Sequence, residues 1–256
     1  MVWEQLKRFE NLLGGCEGKV KFAGLNAITH IFKAEELRLS DPHMACFRAI
    51  CAEEEAATSL ICSLQAHGYP QSEKISHWAH PNKAGVIVFI AGVIDWFNEH
   101  MEMDGMPFQP PRLCHVDEGG RPAIEVVFPL RDGKGVLHPR PPLHLLVQGD
   151  QSMDEMIGAA VLAKLRKKYA QEIRGAITVK ANLRNSFLYA SEEGLPKEFA
   201  NCEGFILNQA AIVSALLLAV GLIDPWGPPK YQHAGLVVSA VSEFVRVMSS
   251  IKQPKV

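Results

Sequence analysis

The chain predicts a mainly α protein, an antiparallel helical bundle with a short β-hairpin insert, and three observations make that prediction. Apolar residues recur at helical spacing over most of the chain, N-cap and stop residues bound those stretches, and prolines crowd into residues 105–150, where no long helix fits. All 256 residues are read as one helical domain, with 105–150 inserted in it. A composition of 48% hydrophobic and 21% charged residues supplies a sizeable core.

Residues 1–37 hold two short helical patterns parted by Gly14-Gly15, with Gly18 and Gly24 expected as further breaks, and together they are expected to cap the core. Ser40-Asp41-Pro42 then opens a helix that runs to about His67, where Gly68 and Pro70 stop it. At about 100° per residue, Phe47, Ile50, Ala57, Ile61 and Leu64 form its apolar stripe. Glu54 falls inside that stripe and Glu53 just beyond its edge, so Glu54 is the acid expected to face the core. A carboxylate there needs a partner, because desolvating it unpaired is costly.

The apolar run from Ala84 to Phe97 is expected to be a buried helix ending near Met101. In the insert, Ala123–Phe128 and Leu143–Val147 read as short strands joined through a turn at Arg131–Gly135. A long helical pattern follows from a capping box at Ser152–Glu155 to about Ser191, whole or broken near Gly175, with Gly194 and Pro196 as the stop. Phe205 to Ile223 is almost wholly apolar and long enough to cross a bilayer, but Asn208 and Gln209 within it favour a central helix buried on all sides. Gln232 to Ile251 gives a last amphipathic helix.

A net charge of -2 argues against a globally basic nucleic-acid binder. One segment is strongly basic: Lys164, Arg166, Lys167, Lys168, Arg174, Lys180 and Arg184 stand against the single acid Glu172. Six cysteines without a C-x-x-C pair suit reduced thiols, and with no signal-peptide pattern at the start the expected location is cytoplasmic, with no membrane partner. No P-loop, dinucleotide glycine motif, nucleophile elbow or zinc-protease motif occurs, and neither a cofactor nor a metal is expected.

On the basic helix, Leu162, Leu165, Tyr169, Ile173, Ala176, Leu183 and Phe187 form the apolar stripe and Arg184 lies on its shoulder. Arg184 and Glu54 are therefore expected to lie close in space, joined through parallel hydrogen bonds, in a salt bridge that is either structural or functional. Asn185 and Tyr189, four apart, are expected to face each other.

A helical Arg184-Asn185 followed by a further polar ring, together with an earlier helix bearing Glu53-Glu54-Glu55-Ala56, resembles the HEPN superfamily. That helix followed by His77-x-x-His80-x-x-Lys83 is similar to its abortive-infection branch. The resemblance covers two helical stretches, about a third of the chain. It implies an antiparallel helical bundle, often a homodimer, acting on RNA without metal in phage defence or toxin systems. Arg184, Asn185, Tyr189 and Glu54 are the candidate catalytic residues, and His77, His80, Lys83 and Lys180 the candidate binding residues. The chain departs from the superfamily hallmark, because Tyr189 stands after Arg184-Asn185 where a histidine is usual, and tyrosine is a poor proton acceptor at neutral pH. Arg131 with His138 after six residues is one other match to the hallmark, but that segment is a turn rather than a helix. A non-catalytic sensor or dimeric binding module of the same ancestry therefore stands as the alternative, with a metal-dependent helical hydrolase around His77 and His80 behind both.

Overall fold

The computed structural model describes residues 2–101, 109, 111–144, 173–189, 201–227 and 231–250. The capping box at 152–155, the cations from Lys164 to Lys168, and Gly194 and Pro196 lie outside these residues, as do positions 145–147 of the second expected strand. Seven helices are described: α1 (Val2–Gly14), α2 (Gly18–Leu37), α3 (Pro42–Ala66), α4 (His80–Met101), α5 (Ile173–Leu188), α6 (Cys202–Ile223) and α7 (Gly235–Ser250). A three-stranded antiparallel sheet, β1 (Arg112–Glu118), β2 (Arg121–Pro129) and β3 (Val136–Leu137), lies between α4 and α5 in sequence. The mainly α bundle with a β-hairpin insert is thus the observed fold.

The bundle is built around α3 and α6. Asp41 caps α3, its carboxylate accepting a hydrogen bond from the Met44 N–H at 3.0 Å, with Pro42 in the first turn. From Ala56 to Leu64 every residue of α3 is buried, because α2 and α6 both pack on it. Helix α6 is the apolar stretch: 61% of its most apolar window is buried and its mean hydropathy is 2.2. It packs on α1, α2, α3 and β2, and among the described residues it is the one helix long and apolar enough to cross a membrane.

Three expectations are corrected. Residues 1–37 do not merely cap the core: Leu6, Phe9, Leu12 and Leu13 of α1 are buried, and α2 runs through Gly24 without a break. Gly24 is there for closeness, since a Cβ would stand 2.5 Å from Leu13 Cδ2. The hairpin is also not the expected one. β2 pairs with β1 through a two-residue turn, Gly119-Gly120, whose φ angles of +62° and +86° suit a type I′ turn and favour glycine. The Arg131–Gly135 turn returns only to the two-residue β3, and Leu143 and His144 lie in a turn rather than a strand.

The third correction concerns α3. Glu53, not Glu54, is the buried acid, with 4% of its surface exposed. The large apolar side chains misled the wheel. Ala45, Ala49, Ala52 and Ala56 form a fully buried small-residue face beside Glu53, where neighbouring helices approach closely.

Candidate functional site

Two consecutive acids on α3 meet cations from two other helices. Lys180 and Arg184, one turn apart on α5, reach one acid each: Lys180 Nζ lies 2.8 Å from Glu53 Oε2, and Arg184 Nη1 lies 3.9 Å from Glu54 Oε2. The expected closeness of Arg184 and Glu54 is present. The expected parallel hydrogen bonds are not, because a single guanidinium nitrogen approaches the carboxylate at ion-pair range only. The first turn of α4 completes the cluster, with His80 Nδ1 2.9 Å from Glu54 Oε1 and Lys83 Nζ 3.9 Å from Glu54 Oε2.

The two carboxylates are in different situations. Burial pushes the Glu53 carboxyl above its ordinary value of 4.5, and Lys180 and the buried Gln209 of α6 oppose that shift. Glu53 and Lys180 therefore act as a buried tie between α3 and α5. Glu54 is less enclosed and carries three basic neighbours. A carboxylate only accepts hydrogen bonds, so Nδ1 donates to Glu54, which in the neutral tautomer leaves the lone pair on Nε2. The His80 side chain is 39% exposed, so a ligand can reach this ring. A carboxylate-oriented imidazole beside a guanidinium and an ammonium can move a proton next to a bound phosphate. Thiolate chemistry is disfavoured at Cys51, one turn before Glu54, because burial and then the Glu54 charge push its thiol up to about 11.

The other expected residues separate. Asn185 is exposed on α5, and Tyr189, just past the end of that helix, is 65% exposed. Only the backbone turn from Tyr189 N–H to the Asn185 carbonyl, 3.0 Å long, joins them. The sequence placed both in the catalytic set, but neither is bonded to Glu54. His77 sits outside the dyad between Lys19 and Lys83; burial and then these cations hold its imidazole below the ordinary value of 6.5. Among the described residues no three His, Cys, Asp or Glu side chains converge as a metal site would require. His138 pairs with buried Glu125 at 3.0 Å, as does Arg140 at 3.1 Å, which makes that cluster part of the insert's scaffold.

The hydrogen bond between His80 and Glu54 is what helix geometry alone did not fix. The His77-x-x-His80-x-x-Lys83 spacing put His80 and Lys83 on one helical turn, but their convergence on an acid 26 and 29 positions earlier is a tertiary fact. One cavity of about 90 Å³, bounded by Leu60, Phe89, Val237 and Phe244 among others, is lined by hydrocarbon side chains alone. Comparison with protein-family models, with curated proteins and with solved structures gives no match.

Proposed function

We propose that this is an RNA-directed helical protein of HEPN-like type, a metal-independent ribonuclease of the defence or toxin kind, in which His80 supplies the proton transfer that Tyr189 cannot. The supporting observation is that one carboxylate, Glu54, gathers His80, Lys83 and Arg184 from two helices. In this reading Glu54 orients the imidazole, and Arg184 and Lys83 hold the scissile phosphate. His80 Nε2 removes the proton of a ribose 2′-hydroxyl, whose oxygen attacks the adjacent phosphorus. The 5′-oxygen leaves and takes a proton from water, giving a 2′,3′-cyclic phosphate and a 5′-hydroxyl. Asn185 and Tyr189, exposed beside Arg184, are available to contact the RNA rather than to carry the reaction.

A second reading has one observation in its favour. The buried Lys180–Glu53 pair shows that α5 is anchored to α3 by structural charge, and Arg184–Glu54 one turn on could serve the same purpose in a non-catalytic, dimeric binding module. Incubation of pure protein with mixed single-stranded RNA in excess chelator separates the two. Cleavage ending in cyclic phosphate, lost on Arg184→Ala without a fall in melting temperature, is the expected result. Absence of cleavage, with Arg184→Ala lowering the melting temperature, leaves the structural reading.

A further inference from the structure

Next to the Glu54 centre, and without any role in it, stands a large exposed aromatic side chain. Trp78 is 75% exposed although it lies in a well-fixed loop. The loop is held by the Trp78 N–H donating to Ser76 Oγ at 3.3 Å, by buried Asn82 donating to the Ser76 carbonyl at 3.1 Å, and by Gln65 of α3 donating to the Ile75 carbonyl at 2.8 Å. An exposed indole on a fixed loop leaves apolar area unburied that the fold itself does not use. Its surroundings are cationic and aromatic: Lys19 of α2 places its ammonium 3.7 Å from the ring centroid, and the His77 ring lies 4.9 Å away at 40°. Phe22, one turn after Lys19 on the same face of α2, is 68% exposed.

The strip is continuous with the proposed site. His77 feels the charges of both Lys19 and Lys83, and Lys83 reaches Glu54. Glu55, the next residue of α3, is an acid whose charge, like those of Lys19 and Lys83, acts on Cys62. Cations track a phosphate backbone while an aromatic face stacks a base, and that combination fits strands whose bases are unpaired. A duplex hides its base faces and has no use for an exposed indole.

We infer that Trp78, flanked by Lys19 and His77, is a base-stacking subsite adjoining the Glu54 centre, and that the ligand of this face is single-stranded RNA. The inference rests on the RNA-directed reading above and adds the strand form and the residue that selects it. A base lies on the indole, the adjoining phosphate passes Lys83 and Arg184, and the neutral His77 ring extends the stack.

The test uses the full chain carrying His80→Gln to prevent cleavage, with fluorescence anisotropy of a labelled mixed-sequence RNA, first single-stranded and then annealed to its complement. Trp78→Ala is expected to weaken single-strand binding on the order of 10-fold or more, as loss of one stacked base does. Trp78→Phe is expected to retain most of the affinity, and the duplex to bind more weakly than the single strand. Unchanged binding by Trp78→Ala, or preference for the duplex, overturns the subsite. In that event loss of binding on Lys83→Ala or Arg184→Ala leaves the RNA-directed reading standing. Absence of RNA binding by the parent overturns that reading and the subsite together.

Discussion

Glu53 and Glu54 are adjacent in sequence, yet their surroundings give them opposite tasks. A buried Glu53 whose carboxyl is raised by desolvation contributes stability that is present below its ordinary value of 4.5 and lost as pH rises through the raised folded value. At neutral pH the charged form is a liability that Lys180 offsets. Lys180→Ala is therefore expected to destabilise by about 3 kcal/mol at pH 7, read from urea unfolding, with a gap from wild type that narrows as the pH is lowered towards 4.5. Asp224 has the reverse sign. Burial pushes its carboxyl up, but His67 at 3.2 Å and Arg121 at 3.0 Å overcome that and hold it below 3.8. Its contribution is present above 3.8 and lost as pH falls through the lowered folded value. Asp224→Asn is accordingly expected to destabilise most at neutral pH, with the difference shrinking only below about pH 4, which thermal unfolding across a pH series measures.

Each helix is set in place by a device of its own. Asp41 starts α3, and Asp41→Ala should lower stability by about 1 kcal/mol without disturbing the contacts of Glu54, more than three turns away. Asn201 caps α6 in the same manner, its side chain accepting from the Gly204 N–H at 2.8 Å. Near its other end α6 presses against α1 and β2 at Gly221, where a Cβ would stand 2.6 Å from Leu12 Cδ1 and 2.7 Å from Ile124 Cδ1. Gly221→Leu is expected to cost roughly 1–3 kcal/mol or more through overpacking, seen as a lower urea midpoint. The same change on an exposed face would be nearly neutral. Asp224, directly after α6, ties this end to His67 after α3 and to Arg121 at the start of β2. The sheet is thereby fastened to the end of the bundle, whereas Glu53, Glu54, Lys180 and Arg184 lie along α3 and α5.

For the whole molecule, what could be read from sequence divides by the range of the interaction. The α3 cap and the apolar α6 follow from local pattern, whereas the closeness of Arg184 to Glu54 follows from the need of each charge for a partner. The buried position of Glu53 follows from neither, since alanines at 45, 49, 52 and 56 define a packing face that large side chains do not announce. Gly119-Gly120 carries the hairpin signal for β1, whereas the turn expected from sequence is Arg131–Gly135. In sequence His80 reads beside His77 as a metal-site candidate near Glu54 or Glu73, and its hydrogen bond to Glu54 is fixed only where α4 meets α3 in three dimensions. That meeting carries the functional account. Its most direct test is RNA cleavage in chelator by His80→Gly, with and without added imidazole. The account predicts a loss of 10²-fold or more, an unchanged melting temperature and partial recovery with imidazole. Wild-type cleavage rates in His80→Gly would contradict it.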